Sequence, residues 1–448
     1  MVVRNHGRVT PQALPESCES YHCTAQFRSI QTSGTFQHSM GVRNHHPKLF
    51  KKVANHIVAL DSLGKFTPQA LSNIAWSYAT MGMGESHPKL FKKIAIHIVG
   101  QQNVYSFKPQ SLANITWAFA SAGLPNSQLF RKVAEHIVAL DNLGQFNPQA
   151  ISNTLRVTPW AYATIGESHP KLFKKVGNHI VALNSLRAFK PQDYSNIVWA
   201  YATAQESNPK LFKKIADAAV GKKNEFSPQH VSNTLWAFAT NGHIDEHLYQ
   251  SLAPTAAEIV DKFNNQGASN VAWAYAVSNV PAPTLFGKKF IDCCMEKQDE
   301  FVLEDLSQLH QWNLWQQELN SNISLSLTLQ EKCYKAFISS GFSPSALQDD
   351  VISHLSSFGL QPEEEKLLKT GYRLDALVEV NGNKIGIEVD GPFHFLGRKP
   401  TGNTILKRRQ ITNLEGIQVV SVPYWEWDKL KRDSNEKQKY LRSLLCLN

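Results

Sequence analysis

The residues of this chain best placed to do chemistry lie between Leu374 and Phe395, in the segment LDALVEVNGNKIGIEVDGPFHF. Asp375 and Glu388 are its first candidates. Two alternating runs flank Asn381-Gly382, a dipeptide suited to a two-residue hairpin loop with positive φ at both positions. With those two residues as the loop, Val380 pairs with Asn383, and the register then sets Asp375 opposite Glu388 and Arg373 opposite Asp390. Cross-strand partners stand about 5 Å apart between Cβ atoms, so the two carboxylates repel unless something compensates. The other face, Leu374, Ala376, Val378 and Val380 with Ile385, Ile387 and Val389, is apolar throughout. A hairpin with one packed face and one acidic face is a candidate metal site, with Asp375 and Glu388 as its ligands.

The rest of the chain must position that hairpin. Its 448 residues call for two or three domains, and an apolar content of 42% argues against general disorder. Lys and Arg number 46 against 37 Asp and Glu, a net charge of +9, and the pI near 9.1 points to a polyanionic partner. No apolar run is long enough for a membrane helix. Cys18, Cys23, Cys293, Cys294, Cys333 and Cys446 show no C-x-x-C and no regular spacing. They are expected as reduced thiols of an intracellular compartment, not a disulfide frame or a zinc site. Residues 1–46 carry few acids among Arg, Ser and Thr, which fits a transit or disordered segment or a truncated start.

Internal repetition fills residues 47–300. Pro-Gln recurs at Pro68, Pro109, Pro148, Pro191 and Pro228, with a degenerate copy from Gln266. The spacings of 41, 39, 43 and 37 residues predict a solenoid of stacked helix pairs. In the first half of each unit, as in HPKLFKKVANHIVAL, apolar residues recur on one helical face. The second half, as in FTPQALSNIAWSYAT, has an N-cap candidate (Thr67, Asn147 or Ser227) and a proline at the first helical position. One copy carries four extra residues, Arg156 to Pro159, read as a bulge or a gene-model artefact.

Each copy carries a Trp (Trp76, Trp117, Trp160, Trp199, Trp236, Trp273) and a second aromatic two residues on. Base-stacking platforms are one reading, but large aromatics at fixed repeat positions are favoured as core between stacked helices. The Asn series at Asn73, Asn114, Asn153, Asn196, Asn233 and Asn270 is expected to be a structural hydrogen-bond ladder, because a residue identical in every unit cannot tell one base from another. His56, His97, His136 and His179 are expected on a solvated helix face. Basic doublets occupy the first helices: Lys51-Lys52, Lys92-Lys93, Arg131-Lys132, Lys174-Lys175, Lys213-Lys214 and Lys288-Lys289. Stacking would align them into a stripe spaced for a phosphate backbone, and the alternative is solubility alone.

Residues 301–350 are expected to be capping helices and linker, with helical patterns at Glu331–Ser339 and Pro344–Phe358. After the hairpin come a Gly-rich turn, a helix over TILKRRQITNLEG, a third strand over IQVVSVPYWEW and a C-terminal helix within residues 431–448. The sum is a small α/β domain at residues 351–430.

The segments LDALV, EVDGPFHF at Glu388–Phe395, LKRR at Leu406–Arg409 and VSVPYWEW at Val420–Trp427 resemble the RAP domain. The helical array in front resembles the repeats that precede RAP domains in the Fas-activated serine/threonine kinase-like family and in algal or apicomplexan organellar proteins. The resemblance implies an organellar RNA-binding protein of the mitochondrion or chloroplast, acting in RNA processing, stability or translation. It implies no kinase activity, and no kinase glycine loop or catalytic-loop motif is present. The RAP domain is similar to restriction-endonuclease-like folds of the PD-(D/E)xK type, whose two acids hold a divalent cation beside an orienting Lys. Asp375 and Glu388 match the acids, but Asp390 stands where the Lys belongs, and Lys384 falls opposite Glu379.

Three functions follow. In the first, the array holds single-stranded RNA, alone or within ribonucleoprotein complexes, and the RAP domain adds a basic surface from Lys407, Arg408 and Arg409. In the second, Asp375, Glu388, Asp390 and His394 form a Mg²⁺- or Mn²⁺-dependent endoribonuclease. In the third, the solenoid is a protein-binding scaffold.

Overall fold

The computed structural model describes residues 47–100, 103–155, 169–339, 345–431 and 433–447. The segment 1–46, the insertion Arg156–Pro159, Trp160 and Tyr162 lie outside the described residues. From Pro47 the chain alternates a first helix (Pro47–Ala59, Pro88–Gly100, Ser127–Ala139, Pro170–Ala182, Pro209–Val220, Glu246–Glu258, Lys288–Glu296) with a second (Pro68–Thr80, Pro109–Ser121, residues 148–155, Pro191–Thr203, Pro228–Thr240, Asn265–Ser278). Leu303–Glu318 packs on Asn265–Ser278 as a further second helix. The caps expected from sequence are formed: Thr67 Oγ1 accepts from Ala70 N (3.2 Å), Asn147 Oδ1 from Ala150 N (2.8 Å) and Ser227 Oγ from His230 N (3.3 Å).

One ring pair recurs inside the units. The aromatic two residues after the Trp meets an aromatic of the first helix edge to face: Phe50–Tyr78 at 5.0 Å, Phe91–Phe119 at 5.1 Å, Phe173–Tyr201 at 5.0 Å, Phe212–Phe238 at 4.9 Å and Tyr249–Tyr275 at 5.2 Å. Where the second ring is Tyr, its hydroxyl donates to the first helix, as from Tyr78 to Phe50 O (2.6 Å) and from Tyr201 to Phe173 O (2.6 Å). Trp199, Trp236 and Trp273 are buried, but Trp76 in the first described unit is 45% exposed. The His series is not fully solvated. His97, His136 and His179 are half-buried, and burial holds each imidazole below its usual pKa.

Polar side chains bind one unit to the next. Ser152 Oγ donates to Asp193 (2.6 Å), Ser269 Oγ to Asp305 (2.7 Å), and Gln308 Nε2 to Asn270 Oδ1 (3.1 Å). The basic doublets are not a uniform stripe. Their first members Lys51, Lys92, Arg131, Lys174 and Lys213 are exposed, whereas Lys93, Lys132, Lys175 and Lys214 turn back onto the preceding first helix. Lys93 Nζ donates to Val58 O (2.7 Å), Lys132 to Val99 O (3.0 Å), Lys214 to Val181 O (2.7 Å), and Lys175 to Leu140 O. Cations on the last carbonyls of a helix satisfy acceptors that have no partner in their own helix. Lys52 and Lys289 are exposed.

The C-terminal part holds a four-stranded sheet, β1 (Glu363–Leu367), β2 (Arg373–Val380), β3 (Asn383–Asp390) and β6 (Gln418–Pro423), in the order β1-β2-β3-β6. A short ribbon, β4 (Phe395–Leu396) with β5 (Lys399–Pro400), follows β3. The hairpin register is the expected one, from Val380 opposite Asn383 to Ala376 opposite Ile387, with Asn381 at φ 53° and Gly382 at φ 79°. Glu379 faces Lys384. β3 and β6 are parallel, joined through the helix Gly402–Glu415, which Thr401 caps and Gly416 ends. Helices Ala346–Ser357 and Ser434–Leu444 cover one face, where Val351, Leu355, Ala376, Val378, Ile387 and Leu441 form a core.

The sheet departs from the expected pattern in two ways. Leu374 does not share the face of Ala376 and Val378: it packs with Leu377, Ile411 and Ile417 on the other side. Regular pairing lapses at Asp375, opposite Glu365 at φ 50°, and the Asp375 carboxylate accepts from Val389 N (2.6 Å). Gly386 leaves the room Leu374 takes, since a Cβ there would come within 2.8 Å of Leu374 Cδ2. The acidic face is also not open, because helix Gly402–Glu415 lies over it.

The two members of a doublet should therefore behave differently in urea unfolding. Lys93→Met strips two carbonyls of their donor and should cost about 1–2 kcal/mol. Lys92→Met, at an exposed position, should stay within about 0.5 kcal/mol of the parent. Equal effects would refute the capping role.

Candidate nucleic-acid interface

Helix Gly402–Glu415 sets the site, because three consecutive cations on it meet three acids. Lys407 Nζ donates to Glu388 Oε2 at 2.6 Å. Arg408 Nη2 pairs with Asp390 Oδ2, which also accepts from Ser421 Oγ, and the same Nη2 reaches Ser421 Oγ at 2.8 Å. Arg409 points to the array: its Nη2 donates to Ala276 O (2.5 Å), its Nη1 to Val277 O (3.1 Å), and Nε and Nη2 to the Glu318 carboxylate (3.2 and 3.1 Å). LKRR was expected to be a free basic surface and is not one. At successive helix positions about 100° apart, the three side chains fan to three separate partners.

The same helix seats the domain on the array. Gly402 lies against the end of helix Pro228–Thr240 so closely that a Cβ would come within 1.9 Å of Ala239 O. Gln410 Nε2 donates to Gln311 O (2.8 Å), Tyr372 Oη to Gln410 Oε1 (2.8 Å), and Gln311 Nε2 to Tyr372 Oη (2.9 Å). The seam is a buried, mutually satisfied polar network.

Glu388 and Asp390 are buried, and Asp375 is half-buried. Burial pushes the Glu388 carboxyl up to about 7, against the pull of Lys407 and with the push of Asp375. Burial raises Asp375 as well, opposed by Lys407 and by the Val389 amide. His394 is held below its usual value by burial, with Asp390 pulling the other way, and its Nδ1 lies 3.3 Å from Asp390 Oδ1. Among the described residues Glu388 Oε1 has no hydrogen-bond donor, and Asp390 Oδ1 has only the His394 contact.

The paired register ends at Ala376 opposite Ile387, one step short of the expected pair of Asp375 with Glu388, but Asp375 lies close enough to act on Glu388. His394 comes to Asp390, which Arg408 holds in place of the expected Arg373. In this arrangement a divalent cation would have to displace the Lys407 ammonium from Glu388. The Lys407 ammonium occupies the charge-compensating position, and among the described residues no three His, Cys, Asp or Glu side chains converge as ligands. The partners of the acids were missed because LKRR carries no sign of which way each cation points. The one available signal is that a helix joining two parallel strands must lie over their sheet.

A helical-repeat array carrying a small α/β domain on its last units is the class that this architecture defines. Two family models match the chain, the RNA-editing substrate-binding complex 6 protein over residues 96–308 and the RAP domain over residues 387–444. The chain is a RAP-domain protein with N-terminal helical repeats. No curated protein matches it.

Two outcomes follow. Between pH about 4.5 and 7 an unfolded Glu388 is ionised while the folded one holds its proton, so this group's stabilisation is present below that window and lost as pH rises through it. Relative to Glu388→Gln, the parent should lose about 3 kcal/mol across that range in urea midpoints; parallel pH curves would contradict the assignment. Arg409→Ala leaves Glu318, with its side chain 4% exposed, without its cation. It should cost about 3–5 kcal/mol. Arg409→Lys should recover only part, since a point charge cannot span two carbonyls and a carboxylate; full recovery in thermal unfolding would refute the clamp.

Proposed function

We propose that this protein binds RNA, with the array and the docked RAP domain forming one binding body that acts on organellar transcripts in the mitochondrion. One observation carries the binding reading over a cutting one: each buried acid of the nuclease-like sheet is already held by a cation of the helix above it. The partner class is supported by the match to the RNA-editing substrate-binding complex 6 protein and by the RAP domain, together with a net charge of +9. Along the array the exposed first members, Lys51, Lys92 and Lys174, serve as phosphate contacts. The second members Lys93, Lys132, Lys175 and Lys214 act as helix caps.

A metal-dependent endoribonuclease is the second reading, favoured by the buried Glu388 Oε1, which has no donor among the described residues, and by Lys407, which supplies from a helix the ammonium that the strand motif lacks. In the binding reading, RNA affinity falls steeply with salt and is unchanged by chelator, and Glu388→Gln binds as the parent does. Lys92→Gln and Lys174→Gln should each lower the slope of log K against log salt by about 0.7. Cleavage of RNA with Mg²⁺ or Mn²⁺ that Glu388→Gln abolishes would establish the nuclease instead. Absence of RNA affinity at low salt would leave the protein scaffold.

A further inference from the structure

The parallel strands β3 and β6 end side by side, with Asp390 aligned to Pro423. Ligand sites in such sheets gather beyond the carboxyl ends of the strands. There β3 runs into the turn Pro392–His394 and β6 into the helical turn Tyr424–Trp427. The Phe395 and Trp425 rings, 4.3 Å apart and edge to face, tie the two turns together.

The aromatics at this edge divide into two sets. Phe395 and Trp427 are buried, and Trp427 Nε1 donates to Asp350 (2.8 Å). Phe393 is 58% exposed, and Tyr424 and Trp425 are half-buried. Neither the Tyr424 hydroxyl nor the Trp425 indole N–H is hydrogen-bonded among the described residues. The turn that presents Phe393 is held firmly. Pro392 fixes its φ, His394 N donates to Gly391 O (3.1 Å), and the His394 carbonyl accepts from Thr401 N (2.9 Å) and Thr404 Oγ1 (3.2 Å). A large ring held in water on a rigid turn contributes little to the core. Arg398 and Lys399, on the ribbon that follows the turn, are exposed cations.

We propose that Phe393, with Tyr424 and Trp425, is a stacking platform for an unpaired nucleobase, and that Arg398 and Lys399 hold the phosphates that flank it. The ligand is then a single-stranded RNA segment, since the base faces of a duplex are already stacked and out of reach. This rests on the RNA-binding reading and names its ligand class and further contact residues. It also places the RNA contact of the RAP domain at the strand ends, beside the paired acids and not on them.

The test uses the full-length protein with an unstructured RNA oligonucleotide and a duplex of equal length. Phe393→Ala, at an exposed position, should weaken single-strand binding about ten-fold with the salt slope unchanged, and Phe393→Trp should restore it. Arg398→Gln should instead lower the slope. The duplex should bind more weakly and be indifferent to Phe393→Ala. Single-strand affinity of Phe393→Ala within about two-fold of the parent, or equal Phe393 dependence for both ligands, overturns the platform. No RNA binding by the parent overturns the RNA reading itself.

Discussion

Burying three carboxylates against one helix is the constraint on which the C-terminal half depends. A buried acid without a cation is strongly destabilising, so Glu388, Asp390 and Glu318 each require one. Lys407, Arg408 and Arg409 supply them from consecutive positions of Gly402–Glu415. Two of the three point into the sheet and the third into the array, so one helical turn both neutralises the site and fastens the domain to the repeats. Gly402 allows the approach, and Gln410 with Tyr372 and Gln311 completes the seam. Loss of the helix would free the acids and undock the domain together.

That coupling bears on function. A sheet whose acids are bare can gather a cation, whereas one whose acids are paired presents a nearly neutral floor with polar groups only at its rim. The rim here is aromatic and basic, and it lies at the ends of the parallel strands. Along the array, Lys93, Lys132, Lys175 and Lys214, each the second member of its doublet, are engaged in stacking one unit on the next. The array charge open to a polyanion is thus sparser than a count of Lys suggests, and lies on the first member of each pair together with Lys52 and Lys289.

Much of this fold was legible in the sequence, for identifiable reasons. Pro-Gln at a period near 40 residues, with a polar cap before it, marks where each second helix starts, and the prolines do open those helices. The Asn-Gly loop sets the hairpin register because few other residues tolerate positive φ twice in succession. The rest was hidden where local signals are weak or distant. β1 has the composition EEEKL, charged without alternation, and is a strand only because β2 offers an edge. Leu374 crosses to the other face through a lapse in pairing at Asp375. The roles of Lys93 and Lys214 depend on carbonyls more than thirty residues earlier, which no window of sequence contains. The site was half legible: the hairpin register brings the acids to one region of the sheet, but their cations come from a helix whose rotation the pattern does not specify.

The central claim is that Lys407 and Arg408 already compensate the charge of the acids at the sheet. Titration of the full-length protein with Mn²⁺, followed calorimetrically at low salt, tests it most directly. The account predicts only weak, non-stoichiometric binding that Asp375→Asn does not alter. A single stoichiometric Mn²⁺ site that Asp375→Asn removes would contradict it.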